Sequence, residues 1–173
     1  MDERETPHGT MSVDQLLDAA RATMKGAEYC FFISTGSSGH PIARIMQPYD
    51  PEKDMTIYFG ASPRSRKLRD IRSNDAVTLA FFDAQETAYL TMYGRAEVDE
   101  RLEARRKYWR VFWSDIYPGG PEGDDYILIK FVPERMEMMN FTKKAMPQPY
   151  SLRPAVLVRT KGIWNFLRSE DAY

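Results

Sequence analysis

Arg64, Arg66 and Lys67 follow Ser62-Pro63 in the run Phe59-Gly60-Ala61-Ser62-Pro63-Arg64-Ser65-Arg66-Lys67. Ser62 suits a helix N-cap and Pro63 the first helical position, and the apolar Leu68 and Ile71 beyond them predict a helix. Cations at that end oppose the helix dipole, a cost that an anion at the free N–H groups removes. Main-chain N–H groups, a serine hydroxyl and converging cations form a donor set for phosphate. A solvated basic patch is the alternative this segment leaves open. Arg44 shares one side of its predicted strand with Ile42 and Met46, where a guanidinium needs an anionic partner. That partner is either a phosphate monoester, shared with Lys67, or a carboxylate at the edge of the core. Tyr58, Phe59, Tyr89 and Tyr93 around such a phosphate imply a ligand with both a phosphate and a flat ring.

Other chemistry finds little material. The two histidines, His8 and His40, fall in an arm and a turn, so neither a histidine metal site nor a Ser/His/Asp triad is supported. No Walker loop, zinc spacing or nucleophile elbow is present. The single cysteine, Cys30, sits in an apolar strand, reads as a buried structural thiol and suits a reducing cytoplasm. A net charge of −1 and a pI near 6.2 argue against a nucleic-acid-coating protein. A single-stranded nucleic-acid binder, a small barrel with exposed aromatics, is the minor alternative. No apolar run approaches the ~20 residues of a membrane span, and the charged start is unlike a signal peptide. A phosphate cradle with aromatic walls and no acid/base dyad predicts chemistry borrowed from a cofactor, and no catalytic residue is assigned.

With 173 residues, 43% of them hydrophobic, the chain has material for one compact domain. Residues 1–11 read as an arm, 12–141 as the domain and 142–173 as a tail rich in Pro and Arg. Ser12 and Gln15 form a capping box before an amphipathic helix carrying Val13, Leu16, Leu17, Ala20 and Met24. Strands are predicted over 29–34, 42–47, 55–59, 76–82, 89–98, 126–132 and 135–140, with a charged helix over 99–113. Leu90, Met92, Ala96 and Val98 take one side of their strand. Tyr89, Thr91, Tyr93, Arg95 and Glu97 take the other, an aromatic side expected to meet a ligand or second subunit. Short strands with hairpin turns and three helices predict a mainly β fold with α elements, an antiparallel barrel of about six strands with peripheral helices.

Arg44-Ile45-Met46, Ile57 to Ala61 leading to Ser65-Arg66-Lys67, and Tyr89 to Val98 resemble the FMN-binding split barrels related to pyridoxamine phosphate oxidase. Trp109, Tyr117-Pro118-Gly119-Gly120 and Asp124-Asp125 before an apolar strand are similar to the general-stress-protein branch. The resemblance covers residues 12–141 and implies a six-stranded Greek-key-like split barrel, a cytoplasmic homodimer with FMN in clefts between subunits. It places Arg44, Arg66 and Lys67 on the phosphate with Ser65 assisting, the Ile45-Met46 and Phe59-Gly60-Ala61 segments near the ring, and Tyr89 or Thr91 near the ring or ribityl chain. Trp109, Trp113 and Tyr117 either close the cleft from the other subunit or pack in the core. The expected activity is hydride transfer at flavin N5, with a small-molecule substrate or reductant, no metal and no nucleic-acid partner. Alternatives are a non-catalytic flavin-binding stress protein and a deazaflavin- or haem-binding relative. Tyr89 in place of Gln, Met139 in place of Trp and a missing Arg-x-His element argue against vitamin B6 oxidation.

Overall fold

The structure, a computed structural model, describes residues 11–146 and 153–167. Most of the expected arm, including His8, lies outside these residues, as do 147–152 and 168–173 of the expected tail. Helix α1 (Val13–Ala27) starts with the predicted capping box: the Gln15 N–H donates to Ser12 Oγ and the Ser12 N–H donates to Gln15 Oε1. Its Leu16, Ala19, Ala20 and Met24 are buried in the main core.

Eight strands form one antiparallel sheet: β1 (Cys30–Thr35), β2 (Pro41–Met46), β3 (Ile57–Ala61), β4 (Ala76–Asp83), β5 (Ala88–Asp99), β6 (Ile127–Asn140), β7 (Ala155–Thr160) and β8 (Ile163–Phe166). They run in the order β2-β1-β4-β5-β6-β7-β8, and β3 pairs with β6. Among the described residues the sheet does not close, so the six-stranded barrel is corrected to an open sheet of eight. Helices α2 (Arg66–Ser73) and α3 (Leu102–Lys107) lie in the connections after β3 and β5.

Two of the differences from expectation meet at β6. The sequence predicts separate strands on either side of Pro133-Glu134; the structure has one strand, with a register shift against Tyr93/Gly94 of β5. Pro133 donates no hydrogen bond and Gly94 leaves room for the irregularity: a Cβ there would lie 2.2 Å from the Val132 carbonyl oxygen. The free edge of β6 is then shared, residues 127–131 pairing with β3 and 135–138 with β7. The expected tail therefore contains two strands of the sheet, and Ala155, Leu157 and Trp164 belong to its main core. Asp54 pins that hairpin, accepting from Arg159 Nη2 at 2.8 Å through its carboxylate and from Trp164 Nε1 through its main-chain carbonyl.

The predicted charged helix is cut to six residues in α3, which buries no side chain. With no apolar stripe to hold it, the helix gives way after Lys107 to a path that turns Tyr108 and Trp113 inward. These two join Tyr58, Tyr126 and Leu128 in a second, aromatic cluster.

Candidate functional site

The basic segment departs locally from its predicted geometry. Helix α2 is capped at Ser65, three residues later than expected, because Ser62 to Ser65 close a turn in which the Ser65 N–H donates to the Ser62 carbonyl at 3.0 Å. Arg64 is left outside the helix and exposed, while Arg66 and Lys67 become its first two residues. The Ser65 hydroxyl oxygen is buried and has no hydrogen-bond partner, and no acid occupies the first turn. Lys67 is partly buried and forms no ion pair among the described residues. Burial lowers its pKa, and the nearby Arg44 charge lowers it further.

Arg44 has its own acid. Its Nη2 donates to Asp70 Oδ2 at 2.6 Å and its Nη1 to Ser34 Oγ at 2.8 Å, and the Ser34 hydroxyl donates to the same carboxylate oxygen at 3.3 Å. Of the two partners open to Arg44, the structure holds the carboxylate at the edge of the core. Asp70 and Ser34 are both buried, so the cluster ties α2 to β1 and β2. Arg44 takes the one carboxylate there, which leaves the Lys67 charge uncompensated among the described residues, beside an unused hydroxyl and a helix start. That donor set fits a phosphate monoester.

The remaining expected site residues divide across the sheet. Phe59 and Ala61 bury their side chains in the main core, and Met46 packs against it. Arg44 shares a face with the buried Phe32, Leu79 and Met92 opposite it in register. Ile45 and Thr91 lie on the other face, in the cross-strand row Ile45, Phe31, Ala80, Thr91, Glu137. Tyr89 shares that outer face, paired with Phe82. The fold thus brings Arg44, Ser65 and Lys67 together, leaves the Arg66 side chain exposed at the same helix start, and keeps Ile45, Tyr89 and Thr91 apart from them.

Gly60 serves packing within the chain: a Cβ there would lie 2.1 Å from a ring carbon of Trp113. Trp109, Trp113 and Tyr117 pack within their own chain, in contact with Tyr126. The Tyr49 and Tyr126 hydroxyls both donate to the Tyr108 carbonyl, and the Arg110 guanidinium lies 4.2 Å from the centre of the Tyr49 ring. Burial and the neighbouring Tyr126 hold the Tyr49 phenol far above its ordinary value, so it stays protonated. Cys30 is buried, which pushes its thiol up to about 12 and makes it inert.

Sequence reasoning missed Asp70 and Ser34. It marked only Leu68 and Ile71 as the inward side of this helix, whereas Asp70 is buried beside them. The available signal was Arg44 itself, an inward guanidinium on an apolar strand that required a carboxylate from a neighbouring element.

The chain matches the family described as "Pyridoxamine 5'-phosphate oxidase like" over residues 15–161. A protein from Clostridium acetobutylicum related to general stress protein 26 superposes with a TM-score of 0.66 at 14% identity, covering 94% of this chain and 100% of that one. General stress protein 26 of Bacillus anthracis gives 0.60 at 19% identity, over 73% of this chain and 92% of its own. A pyridoxamine 5'-phosphate oxidase-related, FMN-binding protein from Nostoc punctiforme gives 0.62 at 13% identity, over 91% and 100%. No curated protein matches the chain. At these identities the structural likenesses establish the fold, while the match over 15–161 spans most of the 173 residues: the chain belongs to the pyridoxamine 5'-phosphate oxidase-like family.

Proposed function

We propose that the chain binds FMN and acts as a flavin-dependent oxidoreductase on a small molecule, as a homodimer in the cytoplasm. The observation that carries this reading is the uncompensated Lys67 beside the orphaned Ser65 hydroxyl at an acid-free helix start. Ser65, Arg66 and Lys67 hold the phosphate, with Arg44 sharing its remaining N–H groups. The Met46 and Gly60-Ala61 main chain, by the family resemblance, borders the ring. FMN, when bound, supplies hydride exchange at N5. The chain contributes anchoring, orientation and shielding from water, and no residue is assigned as acid or base.

The division of site residues across the sheet supports the homodimer. Thr91 lies three strands from Arg44, roughly 14 Å at the ordinary spacing, and on the opposite face. Ile45, Tyr89 and Thr91 therefore serve a flavin held by a second copy. No helix of the described residues is long and apolar enough to cross a membrane.

Absorbance and fluorescence test the reading directly. The purified protein should show flavin bands near the visible blue or quench the fluorescence of added FMN, and Lys67→Ala should weaken binding by about tenfold or more, given ~1.5–3 kcal/mol per charge-assisted bond. A colourless protein that leaves FMN fluorescence untouched removes the proposal. Turnover with NADH or NADPH then separates an oxidoreductase from a flavin-holding protein.

A further inference from the structure

We propose that Asp70 competes with the ligand phosphate for Arg44, so that the nucleotide is held loosely and exchanges with solvent. This rests on the FMN reading above and concerns how the chain's own residues treat that group. Asp70 stands one turn after Lys67 on α2, buried, with its Oδ2 accepting from both Arg44 Nη2 and the Ser34 hydroxyl. The carboxylate is held from β2 and β1 at once, and releasing it strands a buried charge.

An incoming phosphate thus meets a guanidinium whose shortest bond is already spent on a group of the same charge as itself. It either takes the remaining N–H groups beside that carboxylate or displaces it, and both routes reduce affinity. For unit charges about 6 Å apart at an effective dielectric of about 20, the repulsion corresponds to roughly a hundredfold in binding constant. Lys67 has no such rival among the described residues, so it attracts the anion while Asp70 limits how tightly it is kept. Asn at position 70 would keep an oxygen for Arg44 and Ser34 and remove the charge.

The test compares wild type with Asp70→Asn using three probes: FMN and riboflavin by fluorescence quenching, and inorganic phosphate by the shift in melting temperature. The expected result is FMN binding tighter by about tenfold or more in Asp70→Asn, riboflavin binding unchanged, and a larger phosphate-induced shift than in wild type. Wild type loaded with FMN should lose it on a desalting column. Equal or weaker binding of FMN and phosphate by Asp70→Asn overturns the proposal, because Asp70 then only positions Arg44. Retention of FMN by wild type through the column also overturns it, and that measurement decides the matter if Asp70→Asn does not fold. If neither protein binds either flavin, the FMN reading fails, while the phosphate comparison still decides the role of Asp70.

Discussion

At the scale of single residues, Gly60 and Trp113 form a pair in which the smaller side chain is required by the larger. A methyl group at Gly60 would sit 2.1 Å from one indole carbon and 2.2 Å from another, far inside contact distance. Gly60→Ala is expected to cost about 1–3 kcal/mol by overpacking, read as a lower urea midpoint, and Trp113→Leu should relieve part of that cost when combined with it. Additive losses in the double variant would contradict the contact. Cys30 should resist a thiol reagent at pH 8 in the native protein and react fully in urea, since burial pushes its thiol up to about 12. The helix start at Ser65 to Lys67 was legible because caps and cations are local signals, even though the cap itself moved from Ser62 to Ser65. Asp70 was not, because its burial is set by where α2 docks on β1 and β2, a tertiary fact that helical periodicity over eight residues does not fix.

Among the elements, β1, β2, β4 and β5 were legible from alternation and hairpin turns, and β7 and β8 were not. The hairpin is short and carries Arg159, Lys161, Asn165 and few alternating positions, so its pattern is weak until it pairs with β6. Its contribution is nevertheless structural: a chain stopped after residue 146 loses Ala155, Leu157 and Trp164 from the core and bares residues 135–138 of β6. Such a truncation should aggregate or lose its cooperative melting transition, which circular dichroism and scattering will read. The anchor at Asp54 adds a pH dependence. Burial works to raise the Asp54 pKa, but the Thr56 N–H, Arg159 and the Thr56 hydroxyl outweigh it and hold the carboxyl below its ordinary value. A carboxyl depressed in the native state contributes stability at pH values above its unfolded value, near 4, and loses it as pH falls through the depressed one. The stability gap between wild type and Asp54→Asn should therefore be full at pH 6 and shrink below about pH 4. A gap that stays constant down to pH 3 would show that Asp54 acts without its charge.

For the whole molecule, the proposed homodimer points to the outer face of the sheet. Phe31, Ile45 and Phe82 are 51%, 68% and 66% exposed on neighbouring strands, a cluster of large apolar side chains that a monomer in water rarely leaves open. Thr91 and Tyr89 continue the same face towards the Glu137–Arg135 ion pair of β6 at 2.8 Å, so exposed apolar side chains give way to charged ones along it. A net charge of −1 offers little repulsion against self-association. Phe31→Glu combined with Ile45→Glu places two carboxylates per copy at that centre, where two-fold pairing would bring them together and desolvate them. Sedimentation should show a dimer for wild type and a monomer for the double variant. If, as proposed, Ile45, Tyr89 and Thr91 serve the flavin of the other copy, FMN binding should fall with the dimer, whereas the melting shift with inorganic phosphate should persist, because Ser65, Arg66 and Lys67 belong to one chain. A monomeric variant that binds FMN as well as wild type would place the whole flavin site within one protomer and leave the outer face to another role.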